Sequence, residues 1–159
     1  FSAYSTNIRV IDFQKIIENN RNLTLLYEEI KKDQRPHKAN FKNDELNLQN
    51  ELERIEKLNL ILEPSELEKE IVIYNNELND FNEKVEKFNL HYELQINNLK
   101  NKIVNIIIEL LKEYSENNQV DLILDSKSYI LSSNSINITD LIQDQVNKKK
   151  IEINFEKYE

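Results

Sequence analysis

The 159-residue chain is one domain long, but 39% hydrophobic and 31% charged residues suit a thin apolar seam better than a large compact core. It contains no Gly and no Cys, which excludes a phosphate-cradling or dinucleotide loop, a disulfide, a thiolate nucleophile and cysteine-ligated zinc. A formal net charge of −8 argues against a nucleic-acid-binding face.

The chain also lacks Met, and Phe1-Ser2-Ala3 reads equally as the end of a cleaved signal peptide or as a trimmed start. Ile8-Arg9-Val10-Ile11 predicts a short strand, and Asp12 stands as the N-cap of a helix carrying Phe13, Ile16 and Ile17. Asn19 to Asn22 interrupt that helix. A long helix begins near Leu23, with Leu23, Leu26, Tyr27 and Ile30 on its apolar face. Pro36 is expected to break or kink it, because proline has no N–H to donate and crowds the preceding turn. Phe41, Leu48, Leu52, Ile55 and Leu62 resume the stripe.

Pro64-Ser65 mark a reversal, and Ser65-Glu66-Leu67-Glu68 reads as a capping box. The returning helix carries Leu67, Ile71, Tyr74, Leu78, Phe81, Val85, Phe88 and Tyr92 at alternating steps of four and three, a heptad pattern. Ile96, Leu99, Ile103, Ile106 and Leu110 extend it. Two such helices joined by a short turn pair antiparallel. At about 1.5 Å per residue, residues 66–112 run roughly 70 Å. Ile103-Val104, Ile106-Ile107-Ile108 and Leu110-Leu111 leave little polar face, so this stretch is expected to be buried nearly all round.

Val120 to Asp125 read as a strand, with Ser128 to Leu131 as its hairpin partner. Thr139 stands as the cap of a last helix carrying Leu141, Ile142 and Val146. Ile151, Ile153 and Phe155 alternate as in an extra strand or a frayed tail. The fold class is mostly α with a small β body. A long antiparallel coiled-coil hairpin, residues 23–111, is inserted between the segments 1–22 and 112–159 that build the body.

This order of elements carries a resemblance. Val120-Asp121-Leu122-Ile123-Leu124-Asp125, followed by Tyr129, Ser132-Ser133 and Asn137-Ile138-Thr139-Asp140-Leu141, resembles the C-terminal signature of the Skp (OmpH) periplasmic chaperones. Val10 to Ile16 is similar to that family's first strand and helix, and Leu67 to Ile71 to the start of its returning arm. The resemblance implies a homotrimer with a barrel of strands from three subunits. Its helical tentacles enclose a cavity that holds unfolded outer-membrane proteins in the periplasm without ATP. It implies a cleaved signal peptide, no catalysis and no cofactor. The family members best known are basic, with an Arg-rich stretch on the returning arm. Here Glu83 to Asn98 is rich in Glu, Lys and Asn instead. That argues against lipopolysaccharide binding and leaves only weak membrane-surface contact. A body of about three short strands and two short helices is too small to bury both sheet faces alone. Val10, Val120, Leu122 and Leu124 are therefore the expected trimer core.

The candidate sites each have a plainer counterpart. Ile73, Leu90 and Leu94 fall off the heptad seam and are the expected contacts with an unfolded client, whereas Tyr74, Phe81, Phe88 and Tyr92 read as seam core. Lys31, Arg35, Lys38 and Lys42 form one basic stripe if the helix survives Pro36, near the level of Lys84, Lys87, Lys100 and Lys102. That stripe suits anionic head groups or acidic client segments, or is an ordinary solvated face with Glu83, Glu86 and Glu93 beside it. His37 and His91 stand at similar levels of the two arms. They are too few for a metal and read as solvent-facing. A structural adaptor gripping one folded partner at the hairpin tip is the competing reading. A prefoldin-like chaperone ranks behind both, because that fold places its strands between its helices.

Overall fold

The computed structural model describes residues 5–159, so the reading of Phe1-Ser2-Ala3 lies outside the described residues. By internal packing the chain divides into two units, Phe1–Glu29 with Gln95–Phe155, and Ile30–Leu94 with Glu156–Glu159.

The first unit holds β1 (Ile8–Ile11), α1 (Phe13–Glu18), the opening of α2 (Arg21–Leu58), the latter part of α3 (Pro64–Asn118), β2 (Leu122–Asp125) and α4 (Thr139–Lys148). Asp12 caps α1 by accepting the Lys15 N–H at 2.9 Å. The Asn run ends α1 because Asn20 caps the next helix. Its buried Oδ1 accepts the N–H groups of Asn22 at 2.9 Å and Leu23 at 3.3 Å.

β1 and β2 pair in parallel, Ile8 opposite Leu122 and Val10 opposite Leu124. On the other side of β1, Val10 bridges Asn137, and the Ile138 N–H donates to the Val10 carbonyl at 3.0 Å. The expected hairpin of β2 with residues 128–131 does not form. Ser126–Ser128 make a single 3₁₀ turn and the chain leaves the sheet. A parallel pair needs a long crossover, and the chain between β1 and β2 supplies one. Thr139 is not the α4 cap either. It is the first helical residue, and its hydroxyl accepts the Asp12 N–H at 2.8 Å, while Asn137 Oδ1 accepts the Thr139 N–H at 2.9 Å.

α3 ends at Gln119, which takes the left-handed conformation at φ 51°. The Val120 N–H then reaches back to the Ser115 carbonyl at 3.0 Å, a Schellman closure. Asn7, just before β1, donates its side-chain amide to the carbonyls of Asn118 at 2.9 Å and Gln119 at 3.0 Å. The start of the chain thus caps the end of its longest helix. Val10, Ile11, Ile16, Ile17, Leu23, Leu26, Leu99, Ile103, Ile107, Leu110, Ile138, Ile142 and Val146 are buried in this unit. Each fully buried side chain of this kind stabilises by roughly 1.5–3 kcal/mol before chain entropy is charged against it. The stretch 103–111 is buried on one face rather than all round. Ile108 keeps 40% of its surface, on a side that the single chain leaves open.

The second unit is an antiparallel helix pair. Asp33 meets Tyr92, His37 meets Phe88, Phe41 meets Phe81 and Phe88, and Arg54 pairs with Glu70. α2 is not broken at Pro36 but runs on to Leu58. Contacts on either side of the proline, at Asp33 and Phe41, hold it in line. Pro64 is the first residue of α3, where a fixed φ helps and no N–H is needed. Ser65 is therefore inside the helix, and the expected capping box is absent. Ile30, Ile55, Phe88 and Tyr92 are buried, while Leu67, Tyr74, Leu78, Phe81 and Val85 are half-buried, as two helices without a third layer dictate. The residues after Lys149 form no regular element.

Candidate functional site

Three surfaces carry the candidate chemistry. The first lies on the second unit's helices. Ile73, Leu90 and Leu94 are all about half exposed. Leu90 lines an open groove of about 400 Å³ with Phe81, Val85, Asn89 and Glu93. Val72, equally exposed, was not singled out from the sequence because it neighbours a seam position. At the turn between the helices, Leu60 and Ile61 are 87% and 79% exposed.

The basic stripe is on one face, because α2 stays helical through Pro36. Lys31, Arg35, Lys38 and Lys42 are all exposed along it. Lys87 leans on Glu83 at 3.7 Å, which lowers the local positive potential on the other helix.

The second surface is an aromatic cradle on the same unit, and it corrects the reading of the histidines. His37 and His91 are half-buried, not solvent-facing, and both meet Tyr158, with ring centroids at 5.2 and 5.5 Å. Phe88 meets the same ring at 5.2 Å, edge to face. Phe88 is itself packed edge to face on Tyr92 and on Phe41, each at 5.0 Å. Asp33 accepts the Tyr92 hydroxyl at 2.7 Å and the Tyr158 backbone N–H at 3.0 Å. His91 Nε2 donates to the Glu156 carbonyl at 2.8 Å.

Burial pushes the Asp33 carboxyl up, but the two hydrogen bonds and the charges of His37 and Lys157 outweigh it and hold it below the usual range. Burial and the Asp33 carboxylate together push the Tyr92 hydroxyl up, so it stays a donor. Neither Tyr158 nor Asp33 was singled out from the sequence. The tail's alternation pointed to Ile151, Ile153 and Phe155, and nothing local marks Tyr158.

The third surface lies in the first unit. Phe13, Ile108, Leu111, Val120, Leu122 and Ile123 line a groove of about 490 Å³. Of the expected trimer core, Val10 is buried within the chain, Val120 and Leu124 are half-buried, and Leu122 is 45% exposed. Ile130 and Leu131, just beyond β2, lie almost wholly in solvent. Among the described residues, no group of His, Asp and Glu is set to hold a metal ion, and no helix is long and apolar enough to cross a membrane.

The family model for outer membrane protein (OmpH-like) matches residues 7–146. A crystal structure of a candidate OmpH-like outer membrane chaperone from Caulobacter crescentus CB15 superposes with a TM-score of 0.67, covering 99% of this chain and 94% of that one. At 11% identity that likeness speaks for the fold alone. No curated protein matches the sequence.

Proposed function

The chain belongs to the OmpH-like family of outer membrane proteins, and from that premise we propose that it is an ATP-independent periplasmic holdase for unfolded outer-membrane proteins. The observation that carries this reading is the row of half-exposed apolar side chains on the second unit, Ile73, Leu90 and Leu94, set among Glu, Lys and Asn. Such a surface offers many weak contacts and no single strong one. Each is worth about 1 kcal/mol by area, and several arms acting together supply the affinity.

The working form is a homotrimer whose body is a shared β-structure. In support, the groove around Leu122 and Ile108 leaves apolar surface uncovered in one chain. The outer edge of β2 has no strand partner among the described residues, and an open edge beside exposed Ile130 and Leu131 favours pairing with another copy. A second reading, an adaptor that grips a folded partner at the helix turn, is favoured by the exposure of Leu60 and Ile61.

The discriminating measurement is suppression of aggregation of an unfolded β-barrel protein, with client dissociation rates for Ile73→Ser, Leu90→Ser, Leu94→Ser and the triple variant. The holdase is expected to suppress aggregation, and the triple variant to release client faster than any single one. No suppression, or one substitution that abolishes binding, selects the adaptor. Affinity should change only modestly with salt, because the arms carry more acid than base.

A further inference from the structure

Tyr158 is held in the way a bound peptide residue would be. Its half-buried ring is flanked by His37, Phe88 and His91. Two contacts of this segment are to backbone, and the Lys157 charge also acts on Asp33. Asp33 takes the Tyr158 N–H, and His91 takes the Glu156 carbonyl. Every residue of an extended peptide except proline offers those two groups. The cradle therefore asks for an aromatic ring carried on an extended backbone.

We propose that Asp33, His37, Phe88, His91 and Tyr92 form a recognition site for a Tyr or Phe side chain on an extended segment of unfolded polypeptide, and that residues 156–159 occupy it as a tethered competitor. This rests on the reading of the chain as a holder of unfolded proteins. Two further features support it. The occupant lies in a segment with no helix or strand, so its release breaks no ladder. The cradle residues also hold one another, since the Tyr92 hydroxyl donates to Asp33, and Phe41, Phe88 and Tyr92 pack edge to face. A tethered occupant acts at an effective concentration of order millimolar. A peptide with one aromatic residue loses to the tail, while a long unfolded chain that also grips elsewhere displaces it. The tail thereby selects clients by length and number of contacts.

The test compares the full chain with its Tyr158→Ser variant. The probes are a fluorescent peptide Ser-Glu-Lys-Tyr-Glu-Ser and two versions carrying Phe or Ser in place of its Tyr, read by anisotropy. The Tyr and Phe probes are expected to bind the variant at least about tenfold more tightly than the intact chain, and the Ser probe to bind neither. Adding Asp33→Asn should weaken the Tyr probe about tenfold. Equal binding of Tyr and Ser probes to the variant, or no gain on vacating the cradle, overturns the proposal.

Should the variant lose its helical circular dichroism, the Tyr158 amide resonance of the intact chain decides. A shift under excess Tyr probe but not Ser probe supports the site, and no shift overturns it. Probe binding without aggregation suppression keeps this site and removes the holdase. Suppression without probe binding does the reverse.

Discussion

Gln119 and Asp33 each carry a local energy that a substitution can read. A side chain with a Cβ in the left-handed region is disfavoured by about 1–2 kcal/mol, and Gln119 accepts this at φ 51° to close the end of α3. Gly fits the position without the clash but loses more entropy on folding. Gln119→Gly is expected to stabilise the protein by about 1 kcal/mol, seen as a higher urea midpoint. Gln119→Val should lower that midpoint.

Asp33 has a depressed pKa in the folded state. The stability it lends to tail docking is fully present above the ordinary carboxylate value, about 3.9. It is lost as pH falls through the lower folded value. Titration of the Tyr158 amide resonance should show the tail leaving the cradle only below about pH 4, with Asp33→Asn abolishing that transition. An acid-insensitive amide shift would mean that Asp33 does not hold the tail. At this scale Asp12 was legible as a cap, because Asp before an apolar turn is a local signal. Ser65 and Thr139 misled, because Pro64 starts α3 in place of Ser65, and the Thr139 hydroxyl is spent accepting the Asp12 N–H instead of capping α4.

The helices were legible because heptad spacing repeats over many turns, and the seam residues Phe88, Tyr92, Leu99, Ile103 and Leu110 are buried, though the seam positions Leu52 and Ile71 are exposed and Ile107, beside the expected Ile106, is the buried one. The persistence of α2 through Pro36 was not legible, since propensity places a break there and contacts with α3 override it. Pro36→Ala restores a donor and is expected to stabilise the helix pair by about 1–3 kcal/mol. Amide exchange across residues 30–94 should slow correspondingly. In the parent protein those amides should exchange faster than residues 103–110, because the second unit buries few side chains and the first buries many. Equal protection in the two stretches would contradict this.

For the whole molecule, the prediction is assembly. Leu122 is 45% exposed beside an apolar groove. Leu122→Asp is expected to convert the proposed trimer to monomer by native mass measurement, since it would bury an unpaired charge at the proposed interface. A wild-type monomer at micromolar concentration would remove the proposal. The two strand segments were legible from composition, but their parallel pairing was not. β2 chose a partner from the opposite end of the chain over its near neighbour, and no local pattern records such a choice.

That pairing also sets an order in time. Ile8 cannot meet Leu122 until everything between them has been made, and closing so long a loop is slow even though its entropic cost grows only logarithmically. The helices form from local contacts in microseconds, so the sheet is expected to be the last part to settle. Until then the strand carrying Val10 and Ile11 is an open, aggregation-prone edge. Under the proposed function, a holder of unfolded chains first passes through the same exposed state itself.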